Sequence, residues 1–169
     1  WVSALTTGAT NRNALVGGLL RSSTVDARSA SAIRLYLAYF RRIPDHAGIR
    51  YWWGRVDAGY GLRRMSADMA YSAEFRNRYG GLGDEAFVRL VYRNVMGREG
   101  EPAGVDYWTG RLSSRSESRG GLMVLFSESA EYRSRMRDRV EVALVHEVML
   151  GRAISEASLS TWVGRVRTD

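Results

Sequence analysis

Three tryptophan residues mark a repeat in the sequence, and this repeat constrains the fold more than any other feature. Each tryptophan has an aliphatic residue three positions before it and a Gly-Arg pair beginning two positions after it. Trp52 and Trp108 are 56 residues apart, and Trp108 and Trp162 are 54 residues apart. A fixed period of this length is typical of proteins that stack similar supersecondary units. The aligned residues are Ile49, Val105 and Leu159 before the tryptophans, and Gly54-Arg55, Gly110-Arg111 and Gly164-Arg165 after them.

The alignment also predicts how the chain is divided. We expect a trailing half-repeat over residues 1–30, complete repeats over 31–83 and 84–137, and a leading half-repeat over 138–169, which together form one helical domain. Because the first residue then lies inside a unit, we expect the chain to be part of a longer protein. A second apolar segment supports this division by recurring as Met65 and Met69, as Leu122 and Phe126 and, more weakly, as Leu15 and Leu19.

Each complete unit is predicted to contain three helices and no strand. The first helix covers about 31–42, 84–98 and 138–152, where apolar residues such as Phe87, Val91 and Val95 follow the helical period. The second helix carries the tryptophan, and the third covers about 62–79 and 118–137. The predicted fold class is therefore all-α, with imperfect three-helix repeats of about 55 residues packed into one compact helical array.

The second unit carries the clearest resemblance to a known family. Its motifs are Tyr92-Arg93, Met96-Gly97-Arg98, Pro102-Ala103-Gly104, Tyr107-Trp108 and Ser129-Ala130-Glu131-Tyr132. With these motifs the chain resembles the bacterial repeat family catalogued as domain of unknown function 4214. The resemblance implies a helical accessory module of secreted or surface-attached bacterial proteins, often beside hydrolases, adhesins or calcium-binding repeats, and it transfers no catalytic residue. The chain departs from the pattern at Phe40-Arg41-Arg42, which lacks the glycine, and at His146 and Thr161, which replace tyrosines.

The sequence offers few groups for catalysis, so we expect the module itself not to be an enzyme, although the full-length protein can carry a separate hydrolase domain. Cysteine is absent and all 25 basic residues are arginine, which excludes thiolate and amine nucleophiles. We expect His46 in a solvated turn and His146 in a packed helix. The glycine-rich residues 80–83 lack the Gly-Lys-Ser/Thr that follows in a phosphate-binding loop, and a hinge between units is the better interpretation.

Acidic residues before the second helix raise the alternative of a calcium site. Asp45 lies in the first unit, and Glu99 and Glu101 lie at the corresponding turn of the second. Calcium takes about six to eight oxygen ligands, and neither turn offers a closely spaced set of that size. We interpret Asp45 and Glu101 as residues that cap the helix, and we expect neither a metal nor a cofactor.

The net charge of +7 raises the alternative of a polyanionic ligand. All of this excess lies in residues 1–80, which contain 12 arginines against 5 acids, whereas residues 81–169 contain 13 of each. Asp57, Asp68 and Glu74 interrupt the basic run, so nucleic acid is a weaker interpretation than an ordinary solvated face or an anionic polymer of the cell envelope. Membrane insertion is not expected, because no apolar run is long enough to cross a bilayer.

Trp53 is the one large aromatic residue that the repeat does not explain. We expect the three repeated tryptophans, Trp52, Trp108 and Trp162, to be structural anchors of the core. Trp53 lies about 100° round the helix from Trp52, so it should be partly exposed. It then covers a seam between units, or it forms a flat binding face for a sugar or a protein. Arg50 and Tyr60 would flank that face, and we add Tyr51 and Arg55 as further candidate ligand-binding residues.

These observations favour a non-catalytic accessory module that binds a cell-wall or extracellular glycan. From the family resemblance, we expect the protein to be secreted or attached to the cell surface. A structural spacer or protein-interaction array without a small ligand is the alternative, and binding of nucleic acid or another polyanion through the arginine-rich first half comes third. A glycan-binding module should carry exposed aromatic residues beside polar groups, whereas a spacer should show neither.

Overall fold

Helices form the regular structure of the part of the chain that the structure describes. The computed structural model describes residues 25–168 together with residues 7, 8, 17, 18 and 22. No strand occurs among these residues, and the all-α prediction is confirmed. Leu15 and Leu19, and most of the predicted half-repeat over 1–30, lie outside the described residues. The division into repeat units stays a prediction.

Within residues 25–168 the chain forms nine α-helices joined by short connections. A π-helical segment, Asp26–Ala30, leads into the first helix, and a second π-helical segment, Tyr92–Met96, extends the fifth. None of these helices is both long enough and apolar enough to cross a membrane. The helices are α1 Ser31–Phe40, α2 His46–Asp57, α3 Leu62–Ala70, α4 Ala73–Tyr79, α5 Asp84–Val91, α6 Pro102–Ser113, α7 Arg119–Ser127, α8 Ala130–Leu150 and α9 Glu156–Thr168.

The structure corrects the extent of the predicted third helices. Each is interrupted by a serine that caps a new helix: Ser72 Oγ accepts a hydrogen bond from Phe75 N at 3.1 Å, and Ser129 Oγ accepts one from Tyr132 N at 3.2 Å. The second part of the helix predicted over 118–137 is continuous with the helix predicted over 138–152. Together they form one long helix, α8, of 21 residues. The reason is local, because the glycine-rich residues 80–83 separate α4 from α5, whereas no glycine occurs inside α8.

The acidic residues before α2 and α6 behave as the sequence predicts in one case only. Asp45 is the N-cap residue of α2, and its carboxylate accepts a hydrogen bond from Gly48 N at 2.7 Å. Glu101 occupies the same position before α6, but its side chain forms no capping hydrogen bond. Its carboxylate instead pairs with Arg98 at 2.7 Å. Both carboxylates are thus engaged by groups of the protein itself.

The core is a single apolar cluster that continues through the helices. α7 packs against both α1 and α3. At its contact with α3, Ser66 Oγ donates a hydrogen bond to Gly120 O at 2.7 Å, and Tyr39 Oη donates one to Ser66 O at 2.9 Å. A Cβ atom at Gly120 would lie 3.3 Å from Ser66 Oγ, so glycine permits this close contact. The Ser66–Gly120 bond joins the segment 31–83 to the segment 84–137, and the Tyr39–Ser66 bond holds Ser66 in place within the first segment.

The aliphatic residue before each tryptophan is the true interior anchor. Ile49, Val105 and Leu159 are at most 1% exposed. Trp52 and Trp108 are only partly buried, at the edge of the core. The core is therefore anchored three residues earlier than predicted.

Trp162 departs furthest from the prediction, because 44% of its surface is exposed. Trp108 is covered by Phe126 of α7, whose ring centroid lies 5.7 Å from its own. No described helix follows α9 to cover Trp162 in the same way. Trp162 lies instead on an exposed apolar face with Met149, Leu150 and Val166.

Candidate functional site

Trp53 is held against the core and does not form an open binding face. It is partly buried, and it lines a closed gap together with Ile33, Pro44 and Ile49. Its indole nitrogen is buried and has no hydrogen-bond partner in the described part of the chain. Trp53 is thus partly exposed, as its position on the helix predicts, and its packing favours the alternative of a structural role over that of a binding face. Arg50, one turn earlier on α2, is exposed.

The other predicted residues come together on the opposite side of α2. Tyr51 lies two residues before Trp53, and Arg55 lies two residues after it. Each side chain therefore points about 160° away from Trp53 around the helix axis. Arg55 Nη2 donates a hydrogen bond to Tyr51 Oη at 2.7 Å, and its guanidinium carbon lies 5.0 Å from the Tyr51 ring centroid. The same carbon lies 4.8 Å from the centroid of Tyr60, whose other close neighbour is Arg64 at 4.3 Å. We call Tyr51, Arg55, Tyr60 and Arg64 the tyrosine–arginine cluster.

A tight turn after α2 places Tyr60 in this cluster. Gly59 adopts a left-handed backbone with φ of +83°, a conformation that glycine takes at little cost. The turn is closed by Tyr60 N, which donates a hydrogen bond to Arg55 O at 2.9 Å. The Tyr60 hydroxyl then donates to Asp68 Oδ2 at 2.6 Å, and this hydrogen bond raises the pKa of Tyr60. The phenol is therefore fixed in position and protonated at neutral pH.

A similar pair of side chains recurs on α6. Tyr107 and Arg111 have the same spacing as Tyr51 and Arg55, and Arg111 Nη1 donates a hydrogen bond to Tyr107 Oη at 3.3 Å. The two tyrosines are 50% and 55% exposed. Each tyrosine ring meets the following tryptophan edge-on, with a centroid distance of 4.9 Å and an interplanar angle of 76° in both pairs. On α9, where Thr161 replaces the tyrosine, Arg165 lies over Trp162 at 5.0 Å.

The tyrosine rings and guanidinium groups of this arrangement can contact a ligand. Aromatic rings can pack against the apolar face of a sugar, and guanidinium groups donate hydrogen bonds to hydroxyl or carboxylate oxygens. No group of three or more acidic or histidine side chains that could hold a metal occurs among the described residues. Sequence reasoning missed Arg64, Tyr107 and Arg111. The recurring Tyr-x-x-x-Arg spacing was the available signal, since it places both side chains on one helix face.

The two histidines lie elsewhere and have different environments. His46 is exposed at the start of α2, as expected, and its Nδ1 also lies 2.9 Å from Glu147 Oε1, whose side chain is almost fully buried. His146 is a packed helix residue as predicted, with its ring centroid 6.4 Å from that of Trp162. Desolvation lowers the pKa of His146. Neither histidine belongs to the tyrosine–arginine cluster.

Comparison with known proteins places part of the chain in a family. Residues 65–136 match the family model described as Domain of unknown function (DUF4214). The matched segment includes Tyr107 and Arg111, whereas Tyr51, Arg55 and Tyr60 precede it. Searches of the curated proteins and of the solved structures gave no match. As the motifs of the second unit predicted, residues 65–136 belong to the family of domains of unknown function DUF4214.

Proposed function

We propose that the chain is a non-catalytic accessory module of a secreted or cell-surface bacterial protein, and that it binds a cell-wall or extracellular glycan. The observation that carries this proposal is the pairing of exposed tyrosines with arginines, on α2 as Tyr51 and Arg55 and on α6 as Tyr107 and Arg111. The ligand surface is the tyrosine–arginine cluster together with the pair on α6.

The chemistry of these pairs favours a glycan that carries acidic groups. A tyrosine ring offers a flat apolar face to the C–H groups of a sugar ring. The guanidinium beside it can donate two parallel hydrogen bonds to a carboxylate. The net charge of +7 also attracts an acidic polymer, and that attraction weakens as salt is added.

One observation favours a protein ligand as the second candidate. Met149, Leu150, Trp162 and Val166 are exposed on neighbouring parts of α8 and α9. A contiguous exposed apolar face of this kind is typical of protein-interaction surfaces. A protein-interaction array would use this face and would not need the tyrosine–arginine cluster.

Nucleic acid finds less support, because many arginines of the first half are already paired with acids. Arg34 forms ion pairs with Asp26 and Glu128 at 2.7 and 2.6 Å. The carboxylates of Glu74 and Glu117 similarly pair with Arg42 and Arg63. Paired arginines contribute little to a coherent basic stripe along which a phosphate backbone could lie.

Co-sedimentation with insoluble cell-wall material and retardation in gels that contain an acidic polysaccharide would test the proposal. The double variant Tyr51→Ala, Arg55→Ala should lose most of the binding while it keeps the unfolding midpoint of the wild type. Tyr71→Ala is the matched control, because Tyr71 is 78% exposed and lies outside the cluster. Equal binding by the double variant and the control would refute the proposed surface.

A further inference from the structure

Four arginines line a groove where the end of α1, the π-helical segment after α5, and α8 meet. They are Arg41, Arg93, Arg135 and Arg139, and we call this cavity the arginine groove. Its volume is about 330 Å³, and no acidic side chain is among the residues that line it. Like charges placed together repel one another, and a bound anion relieves that repulsion. The arginine groove is separate from the tyrosine–arginine cluster and shares no residue with it.

Arg41 follows the last residue of α1, and at the ends of two other helical segments the equivalent residue is glycine. Three helical segments end on a residue with left-handed backbone: Arg41 with φ of +59°, Gly97 with +68° and Gly151 with +62°. A side chain at such a φ costs conformational free energy, which glycine avoids. The chain nevertheless places an arginine there, and its side chain forms one wall of the groove.

Contacts with the protein hold the other three guanidinium groups in place. Arg135 Nη1 donates a hydrogen bond to Val95 O at 3.1 Å. A Cβ atom at Gly97 would overlap the Arg135 guanidinium, so the glycine leaves room for it. The carboxylates that restrain Arg93 and Arg139, those of Glu99 at 3.4 Å and Glu156 at 2.6 Å, are not among the groove-lining residues.

From this geometry we propose that the arginine groove binds a tetrahedral oxyanion, either phosphate or sulfate. Arginine forks match the oxygens of such groups, and several forks on different elements can contact one anion at the same time. Arg41 extends from α1 and Arg135 from α8, so the bound anion would bridge the segments 31–83 and 84–137. This inference does not depend on the glycan proposal, because a free anion or a charged group on a polymer would bind through the same contacts.

The test compares two variants that relieve the same backbone strain. Arg41→Gly removes a groove arginine and places glycine at a left-handed position, so it should fold at least as stably as the wild type. Arg115→Gly is the matched control, because Arg115 has φ of +58° and does not line the groove. Calorimetric titration at constant ionic strength would use inorganic phosphate, sulfate and polyphosphate as probes, with chloride as the reference.

The wild type and Arg115→Gly should bind phosphate or sulfate, and Arg41→Gly should bind at least about fivefold more weakly. Binding of inorganic phosphate would show that the site accepts a free anion. If only polyphosphate binds, and Arg41→Gly weakens that binding, the site requires a phosphate group carried by a polymer. The proposal is overturned if no probe binds, or if Arg41→Gly and Arg115→Gly bind equally. Arg93→Gln provides a second test, and it too should weaken binding without changing the unfolding midpoint.

Discussion

At the scale of single residues, the repeated tryptophans show how burial depends on neighbouring helices rather than on sequence position. Trp108 and Trp162 occupy equivalent positions on α6 and α9. Trp108 is partly buried against Phe126, whereas Trp162 is 44% exposed. The apolar pattern along one helix therefore identifies the side that faces the core, but it does not reveal whether another helix covers that side.

This difference predicts unequal effects of the same substitution. Trp108→Ala should lower the free energy of unfolding by about 2–3 kcal/mol, since it removes a large side chain that packs on the core. Trp162→Ala should lower it by less than about 1 kcal/mol, because much of that side chain already contacts water. Denaturant unfolding of both variants measures the two values. Equal losses would show that Trp162 is packed as tightly as Trp108.

At the scale of helices, the sequence predicts the elements more reliably than their ends. The helical period identified the segments around Phe87 and Val91, and the acceptor at Asp45 correctly marked the start of α2. The breaks at Ser72 and Ser129 were missed, because serine is tolerated inside helices as well as at their caps. The tyrosine–arginine cluster was predicted only in part, since Tyr60 reaches Arg55 through the turn at Gly59.

The long helix α8 provides a prediction at this scale. Ser129→Ala should destabilise the protein by about 1 kcal/mol, because it removes the acceptor for the free Tyr132 N–H at the start of the helix. Ser134→Ala is a suitable control, since Ser134 is exposed inside α8 and alanine favours helix there. Thermal unfolding of the two variants should differ by several degrees. Indistinguishable melting temperatures would contradict the assignment of Ser129 as a cap.

At the scale of the whole molecule, the all-α fold could be predicted from the sequence, whereas the location of the proposed binding surfaces could not. The repeat and the helical period indicate which residues form the core, as the complete burial of Val105 and Leu159 illustrates. Surface sites depend on how helices approach one another. The arginine groove unites residues of α1, the π-helical segment and α8, and no local pattern in the sequence links Arg41 to Arg135.

We propose that the exposed tyrosine–arginine pairs of α2 and α6 bind one glycan chain. The most direct test measures the affinity of a soluble acidic oligosaccharide, by calorimetry, for Tyr51→Ala, Tyr107→Ala and the double variant. Each single substitution should weaken binding by about five- to tenfold through loss of one aromatic contact, and the double substitution should weaken it further, with unfolding midpoints unchanged. Affinities equal to that of the wild type in all three variants would contradict the claim.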